Sequence, residues 1–163
     1  MTDLHGFKLG MRRLASGVSL ITTREDGTPY GLVATSVTSL TGDPPTLLVC
    51  VNAGTSSHDP LARSGTFCVN LLPDSAKDLA DRCSDPARRH ERFIEADWTT
   101  LQTGAPSLRG AIATFDCTVE KAVRHHTHTI FIGRIEAIAL DEAPIAPLVY
   151  LDGRYHGLRE RAA

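Results

Sequence analysis

The sequence predicts a mainly β protein whose strands form a closed or semi-closed antiparallel barrel with a few short peripheral helices. Short segments rich in β-branched residues recur at regular spacing through the 163 residues, and only two or three segments favour a helix. No glycine-rich phosphate-binding motif follows a strand, as a βαβ nucleotide-binding fold would require. These two observations favour a barrel over a parallel sheet.

The predicted helices are short. Phe7, Met11 and Leu14 fall on one helical face, which predicts a helix over residues 4–15 that Gly17 ends. Two further helical segments are predicted, at residues 57–63 and at the charged residues 74–92, where Pro86 interrupts the pattern.

The predicted strands account for most of the remaining chain. A turn is expected at residues 25–29, and a loop at Pro44 and Pro45, because proline cannot continue a strand ladder. Residues 97–108 read as a loop with a short edge strand. The strands lie at residues 18–23, 30–39, 46–52, 66–72, 111–124, 128–140 and 147–151, with a tight turn and short return at 152–155.

Length and charge limit the classes of function. A chain of 163 residues is expected to form a single domain, 1–163, with its core at about residues 8–158. Seventeen Lys and Arg against nineteen Asp and Glu give a net charge of −2, which argues against nucleic acid or an anionic membrane as partner. Neither a membrane span nor an apolar signal core is visible, so the expected location is the cytoplasm.

Residues 30–58 carry the strongest indication of a binding site. The small side chains Ala34, Thr35 and Ser36 would let a flat aromatic ring approach the strand and its main-chain polar groups. The next strand, residues 46–52, is a continuous apolar run and is predicted to be buried on both faces. The hydroxyl-rich segment that follows, residues 53–58, suits an anion, although its serines could equally cap the helix that begins near Ser57. A surface for a ring beside an anion pocket is what a flavin nucleotide requires.

Other chemistry has little support in the sequence. The four cysteines, Cys50, Cys68, Cys83 and Cys117, form no C-x-x-C pair and are predicted to be buried, reduced thiols. His126 and His128 would share a face of a strand, but no third ligand of suitable spacing is visible, so no metal site is predicted. The absence of paired carboxylates and of a G-x-S-x-G motif argues against a hydrolase.

In the order and spacing of its motifs, the chain resembles the flavin reductase family with the FMN-binding split barrel, a Greek-key-like antiparallel β fold. The matching motifs extend over about nine-tenths of the chain, at residues 15–18, 21–23, 30–36, 39–40, 43–45, 49–52, 65–72, 91–93, 128–133 and 147–150. The resemblance implies a homodimer that binds FMN or FAD near the subunit interface and uses NADH or NADPH as co-substrate. It also implies a role as the reductase partner of a two-component flavin-dependent monooxygenase. The alternative is a split barrel that binds flavin or haem without reductase activity.

The resemblance also implies a set of site residues. Ala34, Thr35 and Ser36 would line the isoalloxazine and ribityl chain, and the wall would continue through Cys50, Val51 and Asn52. Ser56 and Ser57 would face the phosphate together with Arg89, although Arg89 could instead belong to a solvated helix face. His128 would be the catalytic residue, close to the flavin where the nicotinamide approaches.

Two tyrosines and the residues before His128 also bear on the nicotinamide. Tyr150 and Tyr155 could stack on its ring or pack against the end of the barrel. His128 follows His126 and Thr127, where the family commonly has Gly-Asp, so the carboxylate that would partner the imidazole is missing.

Overall fold

The computed structural model describes residues 3–94 and 98–158. Three α-helices are present in this part of the chain: α1 (Leu4–Met11), α2 (His58–Ser64) and α3 (Lys77–Ser84). Short 3₁₀ turns, Asp74–Ala76 and Pro86–Glu91, flank α3. The strands are β1 (Ser16–Gly17), β2 (Ser19–Glu25), β3 (Thr28–Ala34), β4 (Val37–Gly42), β5 (Pro45–Asn52), β6 (Thr66–Leu71), β7 (Trp98–Thr100), β8 (Pro106–Leu108), β9 (Ala113–His125), β10 (His128–Leu140), β11 (Leu148–Leu151) and β12 (Arg154–Gly157).

The main sheet closes on itself at Thr35 and Ser36. Its seven strands pair in the order β3-β2-β6-β9-β10-β5-β4, and every pairing is antiparallel. The two outermost strands, β3 and β4, are joined by only these two residues, which span at most about 11 Å between Cα atoms. The sheet must therefore curl into a barrel, and the Ser36 hydroxyl ties the connecting residues to β5 by donating to the Cys50 carbonyl at 2.9 Å. The predicted fold class is confirmed.

Two apolar clusters hold the barrel and its surroundings together. The first fills the barrel and includes the fully buried Val49, Val51, Phe67 and Phe131. The second lies where α3 and the small sheet β1-β11-β12 pack against the barrel; its buried members include Val18, Leu20, Leu72, Leu79 and Leu148. The second cluster fixes α3 beside the end of β3, and this position defines the site described below.

Three details of the predicted elements were wrong. The first helix ends at Met11 rather than near residue 15, because Arg13 and Leu14 donate i→i−3 bonds that tighten the chain into a turn. The predicted strand 30–39 is two strands, since the chain bends at Thr35 and Ser36 to change edges of the sheet. Strand β5 is buried on one face only: Leu48 and Cys50 point out of the barrel and are half-buried.

Most other elements agree with the prediction. Two hairpins turn at Asp-Gly pairs, Asp26-Gly27 and Asp152-Gly153, in which both residues have positive φ, as a type I′ turn requires. The charged segment at residues 74–92 is helical, as expected: α3 ends at Ser84, and a 3₁₀ turn begins at Pro86. In the segment predicted as a loop with an edge strand, residues 97–108, the strands β7 and β8 form a small hairpin. Asp97, the predicted start of that segment, lies outside the described residues. No helix in the described ranges has the length and apolar character needed to span a membrane.

Candidate active site

A cleft of about 550 Å³ opens where the barrel closes. The end of β3 and the loop after β5 form one part of its lining, and α3, the following 3₁₀ turn and the β11–β12 hairpin form the rest. Its lining includes small, hydroxyl, cationic and aromatic side chains: Ala34, Thr35, Ser56, Ser57, Arg89, Arg92, Tyr150 and Tyr155. This volume is within the range of small-molecule sites.

The cleft brings together seven of the residues predicted from the sequence, and five lie elsewhere. Ala34, Thr35, Ser56, Ser57, Arg89, Tyr150 and Tyr155 line it. Ser36 lies beyond Thr35 and lines an adjacent groove against α1. Val51 is fully buried in the barrel core and pairs with Thr129 of β10, so the fold leaves none of its surface open to a ligand. Cys50 is half-buried on the outer face of β5, and Asn52 and His128 are exposed across from each other at the ends of β5 and β10.

The loop after β5 presents main-chain donors to the cleft. The Asn52 side chain accepts from the Gly54 amide at 2.8 Å, and the Asn52 carbonyl accepts from the Thr55 amide at 3.1 Å. Within the described ranges, the amides of Ser56 and Ser57 donate to no protein acceptor. The Ser57 hydroxyl is already committed, because it donates to the Gly31 carbonyl at 3.0 Å. The loop therefore offers an anion its main chain and the Ser56 hydroxyl rather than the Ser57 hydroxyl.

A buried arginine that the sequence analysis did not select lies beside this loop. Arg92 is 8% exposed, and its Nη1 donates to the Gly31 carbonyl at 2.7 Å. Its Nε is buried and has no acceptor among the described residues. Burial lowers the pKa of Arg92, yet a guanidinium stays charged at neutral pH. A desolvated cation with an unused donor in a cleft favours an anionic ligand.

Arg89 lies on the rim of the same cleft. It is exposed, and it is close enough to Arg92 for the two charges to repel, which contributes to the lowered pKa of Arg92. Two cations brought together in this way are stabilised when an anion binds between them.

Tyr150 and Tyr155 form the aromatic part of the cleft. They are cross-strand partners on the β11–β12 hairpin, with ring centroids 5.4 Å apart in an edge-to-face arrangement. The Tyr155 hydroxyl lies 3.5 Å from the Ser84 hydroxyl of α3. Tyr150 is 38% exposed, so part of its ring is open to a ligand.

The imidazole of His128 has a hydroxyl partner in place of a carboxylate. Thr127 Oγ1 lies 2.9 Å from His128 Nδ1. His126, in the same hairpin turn, adopts a left-handed backbone with φ of 48°, the conformation for which glycine is the ordinary choice. Among the described residues, no group of three side chains could hold a metal ion.

Comparison with known proteins identifies the family. The family model for the flavin reductase like domain matches residues 11–159. The chain is 38% identical, over 96% of its length and 82% of the relative's, to the FMN reductase (NADH) RutF of Pantoea ananatis. The chain belongs to the flavin reductase family.

Solved structures of flavin reductases share the fold. The styrene monooxygenase flavin reductase SMOB of Pseudomonas putida S12 superposes with a TM-score of 0.84 at 33% identity, over 96% of this chain and 99% of that one. The NADH:FAD oxidoreductase SgcE6 of Streptomyces globisporus, in complex with NAD and FAD fragments, superposes with a TM-score of 0.90 at 26% identity, over 99% of this chain and 96% of that one.

The residues of the cleft fit the ligand class of this family. A flavin nucleotide carries a phosphate and a flat ring, and the cleft offers a buried guanidinium with an unused Nε, two unengaged amides and the small residue Ala34. The signal for Arg92 was present in the sequence, because it lies in the matched motif at residues 91–93. Only the fold shows that its charge is turned inward rather than into solvent.

Proposed function

We propose that the protein is an NAD(P)H:flavin oxidoreductase, which transfers a hydride from NADH or NADPH to FMN or FAD and supplies the reduced flavin to a partner monooxygenase. The observation that carries this proposal is the composition of the cleft, which combines a buried cation, two unengaged amides and a pair of tyrosine rings. The names of the relatives, an FMN reductase (NADH) and a monooxygenase flavin reductase, support the same reaction.

In this proposal each part of the cleft has a separate task. Arg92, Arg89 and the Ser56–Ser57 segment hold the phosphate, since these groups supply positive charge and N–H donors. Ala34, Thr35 and Ser36 admit the flavin ring beside the barrel closure. The half-buried Cys50 and the exposed Asn52 continue that wall, with the fully buried Val51 behind them. The flavin, when bound, supplies the hydride-accepting chemistry, and the protein supplies position and charge.

His128 and the tyrosine pair would bind the nicotinamide. His128 begins β10 directly opposite Asn52, and its ring is exposed and oriented by the Thr127 hydroxyl. An exposed imidazole beside the flavin wall can hydrogen-bond the polar edge of an approaching nicotinamide. Tyr150 and Tyr155 offer ring faces or edges against which the nucleotide can pack.

The N-terminal helix supports the proposal that the protein is a homodimer. None of the eight residues of α1 is buried; Phe7 is 58% and Met11 51% exposed. A helix of this length is marginal in water unless its apolar face is covered, so we infer that a second copy covers it. The same face lines a groove with Thr35, Ser36 and Tyr150, which would place the interface beside the flavin. Light scattering should give twice the chain mass, and the double substitution Phe7→Glu, Met11→Glu should give monomers.

The reduced flavin must leave in order to reach a separate oxygenase, so its affinity should be moderate. A dissociation constant in the micromolar range corresponds to about −8 kcal/mol. Much tighter retention would prevent the transfer. We place both proteins in the cytoplasm, where reduced nicotinamides are produced.

The deciding experiment is oxidation of NADH and of NADPH by the purified protein with FMN, FAD or riboflavin added. Turnover with at least one pair is expected, and stopped-flow reduction with each pair then identifies the preferred flavin and nicotinamide. A folded protein that binds flavin without oxidising either nicotinamide would overturn the proposal and favour a binding protein without reductase activity.

A further inference from the structure

His58 makes three contacts that the proposed reaction does not use. It is the first residue of α2, directly after Ser57, and only 7% of it is exposed. Its Nε2 lies 2.8 Å from the Thr129 hydroxyl, and its Nδ1 lies 2.7 Å from Oδ1 of Asp59. The ring also packs against Phe131 of the barrel core, with centroids 5.6 Å apart.

The hydrogen-bond partner of His58, Thr129, directly follows His128 in β10. Side chains alternate along β10, so Thr129 faces inward and is buried, while His128 faces outward and is exposed. A second bond joins the same two segments, because the Ala53 amide donates to the Thr127 carbonyl at 2.9 Å. The loop that carries Ser56 and Ser57 is thus attached at both ends to the turn that carries Thr127 and His128.

The charged neighbour sets the direction of the bond at Nδ1. Asp59 is a carboxylate that accepts from His58 Nδ1, a bond that keeps the pKa of Asp59 below its ordinary value. With Nδ1 donating to Asp59, the Nε2 of His58 pairs with the Thr129 hydroxyl at 2.8 Å. An aliphatic side chain could fill the same volume, but it could not join α2 to β10.

We propose that His58 is a positioning residue that couples the anion-binding loop to His128 through Thr129. The inference rests on the proposed function, because it assigns the loop to the flavin phosphate and His128 to the nicotinamide. Loss of the His58–Thr129 bond should disturb both sites at once, although neither residue lines the cleft. A residue that only stabilised the barrel would affect unfolding without altering the two binding steps together.

The test compares His58→Leu, Thr129→Val and the double variant with the wild type. Each single variant should weaken FMN binding and raise the KM for the nicotinamide about tenfold, the cost of losing one buried bond. The double variant should be no more than about threefold worse than either single variant, because the two residues share one interaction. Binding of riboflavin, which lacks the phosphate, should change less than binding of FMN.

Thr114→Val is the matched control. Thr114 is a buried threonine of the same sheet whose hydroxyl donates to Asn70 at 3.1 Å, and it does not line the cleft. It should lower the free energy of unfolding while leaving FMN affinity and KM unchanged. Variants of His58 and Thr129 that behave like this control would overturn the inference.

The same measurements distinguish a failure of the His58 inference from a failure of the proposed function. If the wild type turns over nicotinamide and His58→Leu does so with unchanged constants, only the inference fails. If the wild type shows no turnover, the proposed function fails. The FMN and riboflavin titrations of the same variants still decide whether His58 controls the loop: unchanged FMN affinity in both single variants would again overturn the inference.

Discussion

Arg92 and Gly31 form the contact that fixes the position of the buried cation. Nη1 of Arg92 donates to the Gly31 carbonyl at 2.7 Å, and the same oxygen accepts from the Ser57 hydroxyl at 3.0 Å. The side of Gly31 that would carry a Cβ is covered by Phe93, whose Cζ would lie 3.3 Å from that atom. The main chain of β3 therefore holds both the cation and the anion-binding loop, and the buried Nε of Arg92 has no acceptor among the described residues.

Replacing Arg92 with Met should weaken the binding of FMN much more than the binding of riboflavin. The substitution removes a buried charge-assisted donor worth about 1.5–3 kcal/mol, so the dissociation constant for FMN should rise about 10- to 100-fold. Riboflavin affinity should change little, because riboflavin has no phosphate. Fluorescence titration with both flavins measures the difference.

The control for Arg92 is Arg109→Met, which removes an exposed arginine that does not line the cleft. It should leave both affinities unchanged. Equal weakening of FMN and riboflavin in Arg92→Met would show that Arg92 supports the fold of the cleft and does not bind phosphate.

His128 should act on turnover and not on flavin affinity. His128→Ala removes the exposed imidazole, so kcat/KM for the nicotinamide should fall at least tenfold while the dissociation constant for the flavin stays within about twofold. Thr127→Val removes only the hydroxyl 2.9 Å from Nδ1, and its effect should be smaller, about two- to tenfold. A collapse of flavin affinity in His128→Ala would assign His128 to the flavin site or to the fold.

The sequence predicted the barrel well because strand periodicity and turn residues are local signals. The Asp26-Gly27 and Asp152-Gly153 turns and the helix break at Pro86 need no tertiary information. The split of residues 30–39 into β3 and β4 was not predictable in this way. It depends on which edges of the sheet meet, and the bend at Thr35 and Ser36 has no glycine or proline to mark it.

The candidate site was less predictable, because burial and direction are properties of the packed chain. Arg92 and Arg89 stand in the same charged run, yet one is buried against β3 and the other is exposed on the rim. Ser57 was expected to offer its hydroxyl to the phosphate, but the fold commits that hydroxyl to Gly31. The contact between Thr127 and His128 likewise required the geometry of the turn.

The left-handed backbone at His126 should make His126→Gly stabilising. A non-glycine residue at positive φ costs about 1–2 kcal/mol, and His126→Gly removes this cost. Glycine also gives the unfolded chain more conformational entropy, which cancels about half of the gain. We expect the free energy of unfolding to rise by about 0.5–1 kcal/mol in urea titrations. The neighbouring His125→Gly, in a strand with ordinary φ, should lower it instead. Equal losses in both variants would contradict this account.

Gly133 should tolerate no side chain. A Cβ there would lie 2.5 Å from Cζ of Phe67 and 2.9 Å from Cβ of Cys117, both fully buried in the barrel. Gly133→Ala should therefore lower the free energy of unfolding by about 3 kcal/mol, as overpacking does. Gly42→Ala, where a Cβ meets nothing within 4 Å, is the control and should be nearly neutral. Adding Phe67→Leu should recover part of the loss in Gly133→Ala, and no recovery would place the strain elsewhere.

The buried thiols should make the fold sensitive to alkaline pH. Burial raises the pKa of Cys117 to about 12 and that of Cys83 to about 11, whereas an unfolded thiol titrates near 8.5. Between these values the unfolded chain has lost a proton that the folded chain keeps, so stability is fully present below about pH 8.5 and falls as the pH rises. Each thiol contributes a slope of up to about 1.4 kcal/mol per pH unit. Cys117→Ala should lower stability at pH 7 through the cavity it leaves, yet its stability should fall less steeply between pH 9 and about 10.5 in urea titrations. A slope identical to that of the wild type would show that the Cys117 thiol ionises as easily in the folded protein as in the unfolded chain.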